Sequence, residues 1–373
     1  MNAIKDESMT RIVHIANTHV EFEFSSPFKE PLEQALCRYP SALQLQFLPL
    51  LYASPSDIVA VTQMPDDDYL ACLEKHKQWG SQGLPSLGLL RDISCYRGMQ
   101  CASWGPSLQV KEWAAAREVD YFFPDWSVAE WINSKAFSLR YSALQEAELV
   151  SNEKELCDWL KKNQGPKVLK KCFGLAGQGN FRIDQECPTE ELLTFCRKEW
   201  LLKRPLIAEP WLDRIEDFST QWLIHPDRKI EWVGATRFET DEKGIYQGTL
   251  AGPIGSLFCD LHSFLQEHCV FVQKALKDIA DLGFFGSLGI DAFVYRDPQN
   301  QKICLNPLVE INGRQTMSLV ALRLQQRICP LDVLRLSFQR IDHSHVSFLP
   351  SKIVGLKKKI GQFRRKLIVE VRH

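Results

Sequence analysis

Two strand-like runs in the C-terminal half of the chain, residues 287–295 and 302–311, are separated by the turn sequence Asp-Pro-Gln-Asn. Such a turn favours a chain reversal, so the two runs are predicted to pair as an antiparallel hairpin. Residues two apart on a strand share a face, which places Glu310 and Asn312 side by side at the end of the second run. Closing the hairpin brings Asp291 opposite, or nearly opposite, the Glu310 end. The chain is therefore predicted to contain a sheet that presents these three polar side chains together.

The three side chains offer oxygen ligands of the kind that magnesium prefers. Asp291 and Glu310 are carboxylates and Asn312 is a carboxamide, a set that suits a magnesium ion held by few protein groups together with nucleotide phosphates. The alternative interpretation is a strand end whose polar residues face solvent, because acidic residues are common on protein surfaces. The spacing by itself leaves both interpretations open.

A glycine-rich loop lies between the strand-like runs 168–170 and 180–183. Its glycines are Gly174, Gly177 and Gly179. Without side chains at these positions, backbone N–H groups could approach a phosphate, and Lys170 places a positive charge just before the loop. A mobile turn between two strands is the alternative. The loop is not a Walker A motif, because no Gly-Lys-Ser/Thr sequence follows the glycines.

Hydrophobic periodicity divides the remaining sequence into helices and strands. Further strands are predicted at 11–15, 58–61, 206–208, 220–224 and 230–235. Helices are predicted within 127–163, near 189–200 and at 260–282. Asn152 and Glu155 have the spacing of a capping box, and Gly283 is placed to stop the longest helix. With 373 residues and 45% hydrophobic content, the chain has enough apolar surface for two or three packed domains of mixed α/β type.

The order of these features resembles the ATP-grasp superfamily, which includes D-alanine ligase, glutathione synthetase and biotin carboxylase. The resemblance covers roughly half of the chain, and its last motif, Glu-Ile-Asn-Gly-Arg, is the most diagnostic. The motifs that carry it are Asn133-Ser134-Lys135, Leu169-Lys170 with the glycine loop, Ala208-Glu209-Pro210-Trp211, Leu288-Gly289-Ile290-Asp291 and Val309-Glu310-Ile311-Asn312-Gly313-Arg314.

The resemblance implies an α/β (α+β) ATP-grasp fold in four parts. An N-terminal α/β domain of the pre-ATP-grasp kind is expected at 1–125. The first part of the ATP-grasp unit, including a lid subdomain with the glycine loop, is expected at 126–208. A catalytic lobe with the metal site is expected at 209–350, and a basic C-terminal tail at 351–373.

The resemblance also assigns nucleotide-binding roles. Lys135 and Lys170 would contact the phosphates of ATP, and Glu209 and Trp211 would lie at the hinge that binds adenine and ribose. The flexible lid would contain Gly174, Gly177 and Gly179. Relatives commonly have proline after the second lysine, whereas Lys171 stands here, so either Lys170 or Lys171 could reach the phosphates.

Metal-binding and catalytic roles follow in the same way. Asp291, Glu310 and Asn312 would hold magnesium, and Arg314 would orient the γ-phosphate or an acyl phosphate. Gly313 replaces a common proline, a change expected to leave the metal ligands intact but to loosen the following turn. Arg237, which follows a predicted strand, is a candidate clamp for a substrate carboxylate, and residues 246–253 have the glycines and proline of a mobile substrate loop.

The implied activity is that of an ATP- and magnesium-dependent ligase, with an amino-acid or peptide ligase as the leading hypothesis. It would activate a small carboxylate as an acyl phosphate and join it to an amine, releasing ADP and phosphate. Two alternatives stay open: an ATP-grasp kinase acting on a small hydroxyl compound, and a nucleotide-binding regulatory protein with little turnover. The identity of the substrates and the oligomeric state are not encoded in any recognisable pattern.

Charge and hydropathy indicate location and partners. The N-terminal sequence lacks the apolar core of a secretory signal and no apolar run is long enough to span a bilayer, so a cytoplasmic location is expected. The net charge is −1, from 45 Lys and Arg against 46 Asp and Glu, which argues against a protein built wholly around nucleic acid. Residues 352–373 carry eight Lys or Arg against one Glu. This segment is interpreted as a solvated tail or terminal helix, or alternatively as a contact for an anionic partner.

Overall fold

The computed structural model of the protein describes residues 11–25, 30–75, 83–174, 179–241, 245–340, 347–353, 363 and 365–372. The chain divides into two compact units. Unit 1 comprises Met1–Val20, Phe28–Phe123 and Gln339–Ile368, and unit 2 comprises Glu21–Pro27, Pro124–Phe338 and Val369–His373. The four-part division expected from the sequence is finer than this and stays a prediction.

Unit 1 is built on a parallel sheet. Its strands are β1 (Ile12–Ile15), β2 (Ile58–Val61), β3 (Ser86–Leu89) and β4 (Gln100–Ser103). In the described part of the chain they form a four-stranded sheet in the order β3-β2-β1-β4. All four residues of β2 are apolar and buried, as expected for a strand covered on both faces. The strands predicted at 11–15 and 58–61 are therefore confirmed.

Short helices accompany this sheet. They are α1 (Val20–Ser25), α2 (Leu32–Arg38), α3 (Pro40–Leu45), a 3-10 helix (Leu48–Leu51), α4 (Asp67–Lys75) and α5 (Leu108–Ala115). Helix α1 contributes its residues from Glu21 onward to unit 2. The core of unit 1 combines strand residues such as Val13 and Ile58 with Tyr96 and Trp113.

Unit 2 contains most of the remaining elements. Its helices are α6 (Trp126–Asn133), α7 (Lys135–Leu139), α8 (Glu153–Lys162), α9 (Glu190–Trp200), α10 (Ile254–Leu257), α11 (His262–Phe271), α12 (Gln273–Asp281) and α13 (Met317–Ile328). Its strands are β5 (Glu148–Val150), β6 (Lys167–Lys171), β7 (Asn180–Ile183), β8 (Leu206–Pro210), β9 (Asp213–Ile224), β10 (Ile230–Thr240), β11 (Tyr246–Ala251), β12 (Gly286–Arg296) and β13 (Ile303–Asn312). Two further strands belong to unit 2 only in part: β14 (Val333–Arg340) up to Phe338, and β15 (Arg365–Arg372) from Val369 onward.

The smaller sheet of unit 2 carries the glycine-loop strands. Among the described residues it has four strands, in the antiparallel order β5-β8-β6-β7. Helices α8 and α9 pack on it through a shared apolar cluster in which Trp159 is 1% exposed. The predicted cap of α8 is confirmed, because the Glu155 N–H donates to Asn152 Oδ1 at 3.0 Å. The Glu155 carboxylate accepts from the Ser151 N–H at 2.7 Å, which completes the reciprocal pair one residue earlier than a standard capping box.

The larger sheet has seven strands within the described ranges, in the order β13-β12-β9-β10-β11-β14-β15. The predicted hairpin is confirmed as β12 and β13, which pair antiparallel with Asp291 opposite Glu310 and Gly289 opposite Asn312. Together with the parallel sheet of unit 1, this large sheet of mainly antiparallel strands confirms the predicted mixed α/β class.

Several local predictions need correction. The helix predicted over 260–282 is two helices, α11 and α12, because Val272 between them has a ψ of −9°, which departs from α-helical geometry. The segment 127–163 is not continuously helical, since β5 interrupts it to pair with β8. The substrate loop expected at 246–253 is largely strand β11, which pairs with both β10 and β14.

Part of the sequence interpreted as a basic tail is ordered in the sheet. Strand β15 (Arg365–Arg372) lies at its edge, with Leu367 and Ile368 buried. Adjacent residues of a strand face opposite sides, so both faces of this edge strand are covered at Leu367 and Ile368, and the charged residues lie toward its two ends. Most of the remaining residues of the predicted tail, 354–362, 364 and 373, lie outside the described residues.

No helix in the described part of the chain is both long and apolar enough to cross a membrane.

The buried histidine of unit 2 gives a test of pH-dependent stability. The His268 side chain is 0% exposed, its Nδ1–H donates to the Pro307 carbonyl, and its Nε2 accepts from the Thr220 hydroxyl. Burial lowers the pKa of His268 to about 4. The unfolded chain, with a histidine pKa near 6.5, therefore binds the proton more tightly, so stability is lost as the pH falls from 6.5 toward 4.

Protonation of His268 should lower the free energy of unfolding of the wild-type protein by about 2 kcal/mol between pH 6.5 and pH 5, and we expect His268→Gln to lack this loss. Urea unfolding of both proteins at the two pH values measures this difference. His225→Gln is the matched control, because His225 is partly exposed and paired only with Glu231. Equal pH dependence in wild type and His268→Gln would contradict the prediction.

Candidate functional site

A cavity of about 240 Å³ lies within unit 2, and most of the predicted site residues line it. These are Lys135, Lys170, Gly174, Trp211, Asp291, Glu310, Asn312 and Arg314. They come from α7, from both sheets and from the segments that follow β6, β8 and β13. Residues that are widely separated in sequence are thus brought to one concave surface, which is the usual form of a small-molecule site.

The β12–β13 hairpin supplies the acidic wall of the cavity. Asp291 and Glu310 are directly opposed, and Asn312 Nδ2 donates to Asp291 Oδ2 at 3.1 Å. Burial raises the pKa of Asp291 to about 7, and the neighbouring Glu310 carboxylate adds to this effect. A hydrogen bond from Ser219 and the charge of Arg314 act in the opposite direction. Two carboxylates thus share a partly desolvated space in which both are ionised only at a free-energy cost.

Lys135 lies against this acidic wall. Ser134 caps α7, and the Lys135 N–H donates to the Cys172 carbonyl at 2.9 Å, which fixes the backbone from which the side chain projects. Lys135 Nζ donates to Glu310 Oε1 at 2.6 Å. Burial lowers the pKa of Lys135, but the carboxylates of Glu310 and Glu21 more than offset this, so the net shift is upward. The lysine is therefore a cation at neutral pH.

Strand geometry separates the two neighbouring lysines of β6. Lys170 lines the cavity and its ammonium group pairs with the Glu209 carboxylate. Lys171 points away, with Nζ 2.8 Å from Glu199 Oε1 and 5.4 Å from the centre of the Phe195 ring. Successive side chains on a strand face opposite sides, so only one of the two can reach the cavity. The structure places Lys170 there.

Arg314 follows the Glu-Ile-Asn-Gly sequence at the end of β13. Its Nε–H donates to Glu21 Oε1 at 2.6 Å, one Nη2–H donates to Asn312 Oδ1 at 2.8 Å and one Nη1–H donates to the Gln315 carbonyl at 3.2 Å. The side chain is mostly buried and lines the cavity. Its position is thus fixed by three acceptors, one of which is a carboxylate from α1.

The glycine loop is partly described. Gly174 lines the cavity, and Gly179 has a φ of +97°, a conformation that non-glycine residues rarely adopt. The Lys171 N–H donates to the Gly179 carbonyl at 3.1 Å, which closes the loop onto β6. Gly177 lies outside the described residues.

The predicted hinge residues divide between two positions. Trp211 lines the cavity, and its backbone N–H donates to the Pro166 carbonyl at 2.8 Å. The Arg182 guanidinium lies 5.3 Å from the centre of the Trp211 ring. Glu209 pairs with Lys170 instead of lining the cavity directly. It therefore reaches the site through the lysine.

Arg237 is not brought together with the other predicted residues. Its guanidinium is paired with Glu216 at 2.7 Å and Asp260 at 2.9 Å, in a separate groove that also involves Leu257. The reason is strand alternation: the next residue on β10, Phe238, lines the cavity, so Arg237 faces the opposite side of the sheet. The prediction that Arg237 clamps a substrate carboxylate is therefore corrected, because Arg237 does not line this cavity.

Other cavity residues were missed in the sequence. They are Asn180, Arg214, Asp217, Phe238, Thr240, Tyr246, Ala292, Val309, Thr316, Met317 and Ser318. Asp217 is buried, which raises its pKa, while the Arg214 guanidinium at 3.0 Å opposes that shift. The available signal was the polar residue at every second position of β9, where Ser219 is paired with Asp291 in the register and Asp217 shares its face.

Protein groups supply only some of the ligands that a magnesium ion would need at this site. Asp291, Glu310 and Asn312 supply two carboxylates and one amide oxygen, and in the structure the amide oxygen accepts from Arg314 Nη2 at 2.8 Å. Burial and the facing Glu310 carboxylate raise the pKa of Asp291, so a cation bound beside the pair would stabilise its ionised form. Within the described ranges, no group of three or more His, Cys, Asp and Glu side chains is arranged to hold a metal ion. The remaining ligands would have to be phosphate oxygens or water, which is how magnesium is commonly bound at nucleotide sites.

No protein-family model and no curated protein matches the sequence. Solved structures do match the fold. Biotin carboxylase from Campylobacter jejuni, in complex with beta-gamma-ATP, has a TM-score of 0.53 at 12% identity, over 88% of this chain and 84% of that chain. N5-carboxyaminoimidazole synthetase from Staphylococcus aureus has a TM-score of 0.50 at 12% identity, over 99% and 96%. Pyruvate carboxylase from Rhizobium etli has a TM-score of 0.52 at 11% identity, over 97% of this chain and 35% of that chain.

These similar structures cover most of the chain. At identities of 11–12%, the likeness is one of architecture. It agrees with the order of motifs in the sequence and with the positions that those motifs take around the cavity. The chain has the ATP-grasp fold.

Proposed function

We propose that this protein is a magnesium- and ATP-dependent ligase that activates a small carboxylate as an acyl phosphate and joins it to an amine, with release of ADP and phosphate. The observation that carries the proposal is the charge arrangement of one cavity, where Lys135, Lys170 and Arg314 face Asp291 and Glu310. Cations for phosphate oxygens and oxygen donors for a divalent ion are both needed to transfer a phosphoryl group. The similar biotin carboxylase was solved in complex with beta-gamma-ATP, so a protein with this fold binds a nucleotide, which supports the proposal.

Each proposed phosphate-binding cation is paired with a carboxylate of the protein. Lys135 is held by Glu310, Lys170 by Glu209 and Arg314 by Glu21. When a nucleotide binds, its phosphate oxygens would replace these carboxylates as partners of the cations. The cations would already be oriented and partly desolvated before the nucleotide arrives. Preformed charges in a cavity that excludes water stabilise charge more strongly than mobile charges in water.

Magnesium, held by Asp291, Glu310 and Asn312, would supply further neutralisation of the phosphate charge. The protein's own groups would do the rest. Lys135 and Lys170 would hold the phosphates, Arg314 would orient the transferred group, and Trp211 would contact the base or ribose. Exclusion of water from the cavity would protect an acyl phosphate from hydrolysis.

The substrates are proposed as a class. An amino acid or peptide carboxylate with an amine acceptor is the leading choice, by analogy with ligases of this fold. The walls of the cavity beyond the phosphate-binding residues combine Phe238 and Tyr246 with the ion pair of Arg214 and Asp217. Such a mixture suits a small ligand that has both an apolar body and charged groups.

The first test is magnesium-dependent release of phosphate from ATP in the presence of pooled amino acids and small carboxylic acids. We expect release to require a substrate pool and to fall by about 10²-fold or more in Glu310→Ala and Glu310→Gln, because both lose the carboxylate that is proposed to hold magnesium against the reacting phosphates. Glu231→Ala is the matched control, since Glu231 is an exposed carboxylate of β10 that pairs with His225. ATP that binds but is not turned over with any pool would contradict the proposal.

Hydroxylamine separates the ligase from a kinase. An acyl phosphate reacts with hydroxylamine to give a hydroxamate, whereas a kinase leaves a stable phosphoester and releases no phosphate. We expect a hydroxamate to accumulate with the active pool when the amine is replaced by hydroxylamine. A phosphorylated hydroxyl compound in its place would establish the kinase alternative.

A further inference from the structure

Glu21 is a buried carboxylate that no sequence motif of the chain points to. It lies at the second position of α1, and its side chain is 3% exposed. Its Oε1 accepts from Arg314 Nε at 2.6 Å, a contact between residues 293 apart in sequence. Its Oε2 is also buried and has no hydrogen-bond partner in the described part of the chain. Burying a carboxylate costs free energy, and the contact with Arg314 satisfies only one of its two oxygens.

The contact uses a particular edge of the arginine. A guanidinium carries five N–H donors in a planar fork. Glu21 takes the Nε–H, Gln315 takes one Nη1–H and Asn312 takes one Nη2–H. Among the described residues, one N–H on each terminal nitrogen is left, and Arg314 lines the cavity. The two remaining donors are on the terminal nitrogens, whose fork geometry matches the oxygens of a phosphate or carboxylate.

The acidic wall competes for the same cation. Arg314 interacts electrostatically with Asp291, and its Nη2 already reaches Asn312 Oδ1. An arginine held only by these groups would be drawn toward the proposed metal ligands and would neutralise them in place of a metal ion. Glu21 offers a carboxylate on the Nε edge, which holds the guanidinium and leaves one N–H on each terminal nitrogen for the ligand.

We infer that Glu21 is the positioning residue for Arg314, on condition that the cavity binds MgATP as proposed above: it holds the guanidinium so that the terminal nitrogens bind the γ-phosphate. Glu21 itself touches no substrate in this assignment. It acts through Arg314, and its negative charge keeps the arginine from pairing with Asp291 and Glu310. The effect should therefore appear on the γ-phosphate and not on the rest of the nucleotide.

The test compares two probes by isothermal titration calorimetry, MgADP and the magnesium complex of β,γ-imido-ATP. The ratio of their dissociation constants isolates the contribution of the γ-phosphate. We expect Glu21→Gln to lower the preference for the triphosphate about tenfold while leaving the affinity for MgADP within about twofold, as loss of one charge-assisted contact implies. Glu23→Gln makes the same chemical change on the same helix and should leave the ratio unchanged.

A double-mutant cycle with Arg314→Ala decides whether Glu21 acts through the arginine. We expect Glu21→Gln to change the ratio by less than about twofold once Arg314 is absent, because coupled residues are not additive. A tenfold effect that persists in the Arg314→Ala background, or no effect in the wild-type background, would overturn the assignment. A merely structural role would lower the affinity for both nucleotides together.

Glu21→Asp is the second variant, for use if Glu21→Gln does not fold. It keeps the charge but withdraws it by one methylene, and we expect a partial loss of the triphosphate preference. An unchanged ratio in Glu21→Asp would overturn the assignment as well. Failure of the wild-type protein to bind either nucleotide would instead refute the proposed function, and the role of Glu21 with it; normal binding with unaffected Glu21 variants refutes the role of Glu21 alone.

Discussion

Asp291→Asn is expected to stabilise the protein, in the absence of magnesium and nucleotide, by about 4 kcal/mol at pH 8 and to reduce magnesium-dependent ATP turnover by about 10³-fold. Both effects have one cause. Burial and the opposing Glu310 raise the pKa of Asp291 to about 7, so the ionised form is unfavourable until a cation joins the pair. Asparagine keeps the shape and an oxygen acceptor but removes the charge.

The pH dependence of this gain has a definite sign. The folded-state pKa of Asp291 lies above the unfolded value of 3.8, so the folded protein binds the proton more tightly and loses stability as the pH rises from about 4 to about 7. The gain from Asp291→Asn should therefore be present at pH 8 and largely absent at pH 4.5. Urea unfolding at the two pH values, without magnesium or nucleotide, measures it.

The matched control is Asp281→Asn, which changes an exposed aspartate at the end of α12 that pairs only loosely with Arg228. It should leave both stability and turnover nearly unchanged. Adding magnesium and ADP to the wild-type protein should narrow its stability difference from Asp291→Asn, because the ligand binds the folded state only. A variant that is less stable than wild type at pH 8, or one that retains full turnover, would show that the carboxylate pair is not held for a cation.

The hairpin and its three oxygen donors were predictable because they depend on local rules. A turn sequence fixes the pairing of the two strands, and period-two alternation then fixes which side chains share a face. Asp291 and Glu310 are consequently opposed as expected. The order of motifs added Lys135 and Lys170, which lie far from the hairpin in sequence, and the structure places both at the same cavity.

Alternation also explains two outcomes that the sequence left unresolved or placed incorrectly. Neighbouring residues on a strand face opposite sides, so a shift of one position decides whether a side chain reaches the cavity. Lys170 and Lys171 could not be separated until the face of β6 was known. On β10 the same rule places Phe238 at the cavity and Arg237 on the other face, where Glu216 and Asp260 bind it.

Contacts between distant segments were beyond sequence reasoning. The Glu21 carboxylate meets Arg314 across 293 residues, and the two share no motif or spacing. The break between α11 and α12 is similarly non-local in origin, because the apolar stripe over 260–282 continues through Val272, which is fully buried. Periodicity identifies the face that packs, but the packing itself sets the backbone angles.

Gly313 shows how a departure from the common motif is compensated locally. Relatives with the ATP-grasp pattern commonly have proline here, and glycine was expected to loosen the turn. The structure instead has the Gly313 N–H donating to Asn133 Oδ1 at 2.9 Å, and Asn133 is the buried last residue of α6, two positions before Lys135. A Cβ at position 313 would lie 2.9 Å from Asn133 Nδ2 and 3.1 Å from the Phe284 ring. The turn is thus held by a hydrogen bond that proline could not make.

Gly313→Pro is accordingly expected to destabilise the protein by about 3 kcal/mol, from an unsatisfied buried acceptor together with a steric clash. Gly313→Ala keeps the N–H and should cost about half as much, so the difference between the two variants measures the hydrogen bond. The Asn133→Ala variant lacks both the oxygen that accepts from the Gly313 N–H and the amide nitrogen nearest to a side chain at position 313. Adding Gly313→Pro to that variant should therefore lower the free energy of unfolding by less than about 1 kcal/mol. Urea unfolding of the four variants and wild type tests this. Equal stability of Gly313→Pro and wild type would mean that the turn tolerates the common residue and that the bond to Asn133 does not hold Lys135 in place.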